Sequence, residues 1–264
     1  MFGKKGLWRV VVGVGLILLG IAAILQTYNI LTGSIWAIIF TVLFGLAGAG
    51  FLITFFQDRK QWWAIIPGFM LLGLASTIFL AEFTTGFLSD LAAVVFLASA
   101  ALSFLIIYLL KRDFWWALIP AFVLGGLSVM IGLEESNLPI RDEYAVAVFL
   151  ISIGLPFLLL YLIKRDFWWA LIPAGTMVGV GLLVAFESVA VLFLAMAITF
   201  GAVALLHVGK ERNTWAWIPA GVLFVMAVLF YWFQSGAALI GSLIVPVVLI
   251  LAGIYILVRM IFKR

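Results

Sequence analysis

The sequence has no cysteine and little charge. Only 10% of its 264 residues are Asp, Glu, Lys or Arg, whereas 67% are hydrophobic. The lack of cysteine excludes disulfides, thiolate metal sites and cysteine nucleophiles. A soluble domain of this composition would have an apolar exterior, so we expect an all-α integral membrane protein with a mean hydropathy of +1.34.

The apolar runs also lack ionisable residues, which transporters and proton-coupled machines usually keep at mid-depth. No Gly-rich phosphate loop, metal-spaced cluster or Ser-His-Asp set occurs in the sequence. We therefore expect no enzymatic activity, no cofactor, and no catalytic, cofactor-binding or metal-binding residue. Hydroxyl side chains alone interrupt the runs, as at Thr41, Ser99, Ser128, Ser152, Thr176 and Thr199.

Turn-forming and polar residues divide the chain into ten predicted membrane spans. Each is long enough to cross a hydrocarbon core of roughly 30 Å. The first resembles a signal peptide, but no clean cleavage site follows it, and we expect it to be retained. The spans are 7–25, 34–56, 62–81, 91–110, 115–133, 144–163, 168–186, 189–207, 215–233 and 238–261.

The loops between these spans alternate in charge. Basic loops carry Lys and Arg, whereas acidic loops carry Asp and Glu with Arg141 as their one cation. The other fourteen Lys and Arg share a side with both termini. The positive-inside rule then predicts that both termini and the basic loops lie in the cytoplasm. Topology accounts for the basic runs, so we expect no nucleic-acid partner.

Most tryptophans lie next to the basic loops. Indole prefers the headgroup level of a bilayer, so we expect an interfacial belt and not a ligand-stacking site. The belt comprises Trp8, Trp62, Trp63, Trp115, Trp116, Trp168, Trp169, Trp215 and Trp217.

A repeat of 53 residues organises the chain. The segment Lys-Arg-Asp-Phe-Trp-Trp-Ala-Leu-Ile-Pro occurs at 111–120 and again at 164–173. Related prolines stand at 67 and, after a shorter step of 46, at 219. A fixed period of this size predicts stacked supersecondary units, here helical hairpins.

The two ends of the chain resemble complementary halves of one more repeat. Lys263 lies 53 residues after Lys210, and Lys4-Lys5-Gly6-Leu7-Trp8 resembles the start of a second half. We therefore expect one transmembrane domain, 1–264, of about five hairpins, which closes into a pseudo-fivefold ring if the end helices pair. An open arc is the alternative. The units are 34–81, 91–133, 144–186, 189–233, and 238–264 completed by 1–25.

Small residues recur at fixed depth in both helices of the repeat. They predict close helix approach, the usual basis of packing in lipid. In the first helix the column is Gly48, Ala101, Gly154, Phe200 and Gly253; in the second it is Gly73, Gly126 and Gly179, with Val225 in the fourth copy.

The lone histidine, His207, stands in a column of interfacial aromatics with Phe55, Tyr108 and Tyr161. A proton-carrying or pigment-ligating role would need a partner that the sequence does not supply. We interpret His207 as a variant of that column.

Polar residues at the acidic helix ends are the better functional candidates. In a ring they would surround an outer mouth, as in cation channels. The alternative is that interfacial loops need polar residues in any case. The predicted polar ring comprises Gln26, Glu82, Glu134, Glu135, Glu187 and Gln234.

The repeated Trp-Trp-Ala-Leu-Ile-Pro-Ala segment resembles tandem motifs of uncharacterised bacterial multi-span membrane proteins. The Gly-rich opening at 13–20 is similar to the transmembrane domain of LiaF-type cell-envelope stress proteins. Neither resemblance brings catalytic or binding residues onto this chain.

Three functions are compatible with these features. The first is a non-enzymatic protein of the bacterial plasma membrane that acts as a scaffold, accessory subunit or envelope-sensing component, and whose partners are membrane lipids and other membrane subunits. The second is an ion or small-solute channel along the repeat axis, and the third is a binder of lipid, quinone or pigment in an apolar central cavity. What fills the centre distinguishes them.

Overall fold

A computed structural model describes Gly20 and residues 33–136, 138–208 and 211–234, without the side chains of 207, 208, 211 and 212. The chain divides into two compact units with a boundary after Ser103, and each unit is described by itself. The first and tenth predicted spans lie outside the described residues, as do Trp8, Gln26 and Gly253. Ring closure and the count of ten spans therefore stay predictions.

The described residues are almost entirely helical, and eight of their helices correspond to the second to ninth predicted spans. The remaining helix, α3, is short and is not predicted from the sequence. It follows Gly86, whose φ of 64° is a left-handed value that glycine adopts without strain. The helices are α1 (Gly33–Gln57), α2 (Ile65–Phe83), α3 (Phe87–Asp90), α4 (Ala92–Leu110), α5 (Leu118–Glu134), α6 (Asp142–Ile163), α7 (Leu171–Phe186), α8 (Val189–Leu205) and α9 (Trp217–Gln234).

Within the described part of the chain, seven helical segments are long and apolar enough to cross a membrane. The remaining long helix, α8, is apolar but shorter, with 17 residues. These lengths and compositions are those of a multi-pass, all-helical membrane protein.

Each second helix of a hairpin begins with the same local structure. A turn of 3₁₀-helix, Trp62–Ala64, Trp115–Ala117, Trp168–Ala170 or Thr214–Ala216, leads directly into the α-helix. Its alanine donates a backbone hydrogen bond of 3.0 Å to the carbonyl three residues earlier in all four copies. These alanines are 0% exposed, so there is no room for a larger side chain. The repeated motif therefore specifies one compact helix start.

Proline is the third residue of α2, α5, α7 and α9. Its missing N–H is tolerated there, because the first turn of a helix has no intrahelical partner for it. The fourth basic loop differs in how the chain reverses: β1 (His207–Val208) pairs antiparallel with β2 (Glu211–Arg212) before the 3₁₀ turn. The same helix start thus follows different loop structures.

Small side chains are buried between helices, and large apolar side chains are exposed. Most buried residues are Ala, Gly or Ser, among them Ser103, Ser128 and Ser152, whereas Phe56, Leu46 and Ile198 are 64%, 70% and 64% exposed. Consecutive helices pack together, namely α1 with α2 and, in the second unit, α5 with α6, α6 with α7, α7 with α8 and α8 with α9. Small residues at the interfaces and large ones outside are the usual arrangement of helices in lipid.

Candidate functional site

Glycines of the first-helix column hold the two helices of one hairpin together. A β-carbon on Gly48 of α1 would lie 2.9 Å from the carbonyl oxygen of Gly68 in α2. A β-carbon on Gly154 of α6 would lie 2.8 Å from the carbonyl oxygen of Ala174 in α7. Because both partners are backbone atoms, any side chain at these positions would separate the helices. The expected close approach is confirmed at both glycines.

Glycines of the second-helix column face the next hairpin instead. A β-carbon on Gly73 of α2 would lie 2.7 Å from Cβ of Ser99 in α4. On Gly126 of α5 it would lie 1.7 Å from Oγ of Ser152 in α6. The corresponding contact of Gly179, with Ala195, is a looser 3.2 Å. The two sets of glycines therefore pack in different directions: Gly48 and Gly154 face the second helix of their own hairpin, whereas Gly73, Gly126 and Gly179 face the first helix of the next.

The hydroxyls at these interfaces are satisfied inside their own helices. Ser99 donates to the carbonyl of Val95 at 2.8 Å, and Ser152 donates to that of Phe149 at 2.6 Å. Thr199 and Thr176 make the same local bonds, each of 2.8 Å, to the carbonyls of Ala195 and Ile172. They thus present no free donor to a substrate.

Thr41 differs from these hydroxyls. Its Oγ1 is buried in α1 and has no hydrogen-bond partner among the described residues. An unsatisfied buried hydroxyl is unfavourable, since it loses its hydrogen bonds to water and gains none in the protein. In the sequence, Thr41 resembles the other hydroxyl residues of the apolar runs, and no signal there shows that its hydroxyl lacks a partner.

A polar contact closes the acidic end of three hairpins. We call it the latch, a hydrogen bond from the start of the first helix to the end of the second. In α1–α2, Ser34 donates to Glu82 at 2.9 Å, and in α8–α9, Ser188 donates to Gln234 at 2.8 Å. The α6–α7 latch is ionic. The chemistry changes from copy to copy, but the position is retained.

Arg141 forms the latch of α6–α7. Its guanidinium donates to Glu187 at the end of α7 and lies 3.2 Å from Glu143 in α6. Glu187 has a left-handed φ of 50°. The hydrogen bond to Glu187 holds the pKa of Arg141 above its usual value, so this residue stays charged. Because Arg141 and Glu187 are 56% and 65% exposed, solvent screens the pair strongly.

The predicted polar ring is thus distributed among individual hairpins. Glu82, Glu187 and Gln234 belong to latches, while Glu134 ends α5 and Glu135 follows it. All five are exposed, and Gln26 lies outside the described residues. Their arrangement around a common axis stays a prediction.

At the basic ends, arginines stack on the aromatic column. Arg59 lies 4.6 Å from the ring centre of Phe55, Arg112 lies 4.9 Å from that of Tyr108, and Arg165 lies 4.8 Å from that of Tyr161. Such cation–π contacts fix the loop arginine over the helix end. The sequence signal was available, because each arginine follows its aromatic by four residues.

The two tryptophans of each motif have different surroundings. The first of the pair contacts the next motif: Trp115 lies 5.8 Å from Phe167, and Trp168 lies 6.2 Å from Trp215. The second tryptophan is exposed, with Trp116 at 40% and Trp169 at 41%. The second tryptophans are therefore the ones available to a surrounding phase. A belt at the lipid headgroups stays a prediction.

Among the described residues, grooves open between α1 and α2 and between α8 and α9, each in the half of the hairpin next to its latch. One, of about 470 Å³, lies between α1 and α2. The other, of about 430 Å³, lies between α8 and α9. The first is lined by Thr41, Gly45, Leu72, Ala75, Ser76, Phe79 and Leu80. The second is lined by Ser188, Ala190, Val191, Leu194, Phe224, Ala227, Val228, Tyr231 and Trp232.

Across the described residues, no three His, Asp or Glu side chains form a group that could hold a metal ion. The sequence matches no protein-family model, and no curated protein or solved structure matches it. The hairpin interfaces, latches and grooves are therefore the candidate functional features of the described residues.

Proposed function

We propose that this chain is a non-enzymatic integral membrane protein that acts as a scaffold, accessory subunit or envelope-sensing component. The close packing of α5 on α6 at Gly126 carries the proposal, because even a β-carbon at this position would overlap with Ser152. Packed interfaces are bistable or rigid and do not deform continuously. A stack joined in this way presents a fixed surface to membrane lipids and partner subunits.

The latches support a scaffold over a channel. Glu82 accepts a hydrogen bond from Ser34, and Gln234 accepts one from Ser188, so these side chains close their own hairpins. Their presence at the acidic ends needs no permeating ion to account for it. A channel along the repeat axis is the hypothesis that flux measurements test.

The proposed assembly contains ten spans, with the first and last helices paired to close a ring. The four described copies of the helix start support a regular repeat, and the ends of the sequence resemble its two halves. A Gly6→Cys/Lys263→Cys variant tests closure, since the chain has no other cysteine. Efficient intramolecular cross-linking by a short bis-maleimide supports the ring. Failure to cross-link supports the open arc.

We further propose the bacterial plasma membrane as location, with both termini in the cytoplasm. The charge asymmetry of the loops supports this orientation. Ser89→Cys, in an acidic loop, should react with an impermeant maleimide added to intact cells, and Lys60→Cys, in a basic loop, should react only after lysis. The reverse labelling pattern would show the opposite orientation.

Locking the latch tests the scaffold function directly. Ser188→Cys/Gln234→Cys, bridged by a short bis-maleimide, fixes the open end of α8–α9. A scaffold should keep the same co-purifying membrane subunits, in the same stoichiometry, with the latch free or bridged. The two single-cysteine variants are the controls. Loss of partners on bridging alone would show that the hairpin must open in order to work.

Flux from purified protein in liposomes separates the alternatives. The scaffold proposal predicts release of potassium and of small dyes at the rate of protein-free liposomes. Valinomycin added afterwards verifies that the potassium gradient was intact. Release that rises with protein content, and that falls in a Glu82→Gln/Glu187→Gln variant, would favour the channel.

A further inference from the structure

We infer that three basic loops of the repeat bind the phosphate group of an anionic glycerophospholipid, and that one arginine in each loop holds it. The arginines are Arg59, Arg112 and Arg165. The inference deepens the proposed function, on whose membrane location it rests, because it names the class of lipid that the basic ends of these hairpins prefer.

One backbone turn carries the arginine in all three loops. The turn is closed by a hydrogen bond from the amide of its fourth residue to the carbonyl of its first, and the arginine is its second residue. The backbone therefore holds each arginine in the same way, directly after a helix end. The bonds run from Gln61 to Asp58 at 3.0 Å, from Phe114 to Lys111 at 2.9 Å, and from Phe167 to Lys164 at 3.0 Å.

Aromatic rings, and not carboxylates, hold the arginine side chains. Each guanidinium lies over the ring four residues earlier, at 4.6, 4.9 and 4.8 Å from the ring centre. All three arginines are exposed, and among the described residues none of them forms a hydrogen bond or an ion pair, not even with the neighbouring Asp113 or Asp166. A ring contact uses no N–H donor in a hydrogen bond, so the guanidinium donors remain available to an external acceptor.

A phosphate group is the acceptor that fits these loops. Guanidinium binds two phosphate oxygens at once, and it keeps this ability while it stacks on a ring. In the second unit a further cation stands beside each arginine: Nζ of Lys111 lies 5.2 Å from the ring centre of Phe114, and Nζ of Lys164 lies 5.7 Å from that of Phe167. Each Lys-Arg-Asp segment has two cations and one carboxylate, so positive charge is left for an anion.

The position of the loops favours a lipid as the source of this phosphate. Arg112 and Arg165 stand two residues after helical segments of membrane-spanning length, Ala92–Leu110 and Asp142–Ile163. The exposed second tryptophan of each motif follows four residues later, and exposed indole at a helix end is typical of the headgroup level. Cationic side chains at that level attract anionic lipids. A zwitterionic lipid brings its own cation to the phosphate and fits the surplus positive charge less well.

The fourth basic loop lacks both partners of the stacked pair. By the step of 46 residues, His207 and Glu211 occupy the positions that Tyr161 and Arg165 have in the third copy. The chain reverses there through the β1–β2 pair. Because the ring and the arginine are replaced together, they behave as one unit of the repeat. We therefore expect no phosphate binding at this loop.

Loss of a single guanidinium tests the inference. Arg112→Gln and Arg165→Gln should each weaken one phosphatidylglycerol site by about fivefold, as expected for one cation at a lipid surface. Arg141→Gln is the matched control and should have no effect, because its guanidinium already contacts Glu187 and Glu143 at an acidic end. Native mass spectrometry of the full chain, titrated with dioleoylphosphatidylglycerol or dioleoylphosphatidylcholine, measures binding. Equal effects of the three variants, or equal binding of the two lipids, would overturn the inference.

A second set of measurements tests the ring and the source of the phosphate. Tyr161→Phe keeps a ring, as Phe55 does in the first copy, and should bind lipid like wild type, whereas Tyr161→Leu should bind it severalfold more weakly. Full affinity in Tyr161→Leu would contradict the stacked pair. Inorganic phosphate at millimolar concentration should not displace the lipid, and displacement would show a site for a soluble anion and overturn the inference. Partner co-purification and liposome flux do not depend on these outcomes, so the scaffold function and the lipid site can fail separately.

Discussion

A β-carbon built on Gly126 would lie 1.7 Å from Oγ of Ser152 and 2.5 Å from its Cβ. Gly126→Ala should therefore destabilise the protein by about 1–3 kcal/mol, the usual cost of overpacking. Unfolding in SDS, followed by tryptophan fluorescence, measures the change. Ser152→Gly should restore most of the loss in the double variant, because it removes the atoms in conflict. Additive losses would contradict this relationship.

Gly175 and Gly221 provide an internal comparison, since they are repeat equivalents. A β-carbon on Gly175 would lie 1.8 Å from Oγ1 of Thr199, whereas one on Gly221 meets nothing within 4 Å among the described residues. Gly175→Ala should lower stability by about 1–3 kcal/mol. Gly221→Ala should be neutral or stabilising by up to about 1 kcal/mol, from the helix propensity of alanine. Equal effects of the two variants on SDS unfolding would refute the assigned interfaces.

The sequence was sufficient to predict the described spans and the two glycine columns, because both depend on local composition and on a fixed period. It could not tell which neighbour each column faces. Gly48 and Gly73 look alike in sequence, yet one packs inside its hairpin and the other against Ser99 of the next. That choice depends on the rotation of each helix, and the apolar residues around both columns give no amphipathic signal to fix it.

The latches could not be predicted from the sequence, for a different reason. Ser34–Glu82, Arg141–Glu187 and Ser188–Gln234 share a position but no residue pair. The sequence indicated polar helix ends, but their pairing within a hairpin cannot be read from a column of single residues, and their arrangement in a common ring stays a prediction. The short helix α3 was missed since it depends on a left-handed turn at Gly86.

Thr41→Val should stabilise the protein. The substitution replaces a buried hydroxyl that has no partner in the described part of the chain by a methyl group of similar size, and removes a desolvation cost of about 1–3 kcal/mol. Thr199→Val is the control: it removes a hydroxyl that bonds to the carbonyl of Ala195 and should give no such gain. Thermal unfolding in detergent compares the two. A lower midpoint for Thr41→Val would mean that the hydroxyl has a partner in the membrane.

The ionic and neutral latches should differ in their response to salt. Arg141→Gln should have only a small cost in stability, because both charged groups are more than half exposed. That cost should shrink further at 1 M salt, where the Debye length is about 3 Å. Ser188→Ala should have a small effect that does not change with salt, since its latch carries no net charge. Stability measurements at two ionic strengths test this difference between the ionic and the neutral latch.

The two-directional use of glycine has a consequence for how the chain is made. Glycines of the first-helix column pack within their own hairpin, whereas glycines of the second-helix column pack against a helix that is synthesised later. Each hairpin can therefore be completed in the bilayer before its successor emerges from the ribosome, and every new hairpin finds a finished surface on which to dock. Growth by whole repeats then needs no new kind of contact, so the number of hairpins is a quantity that gene duplication can change one unit at a time.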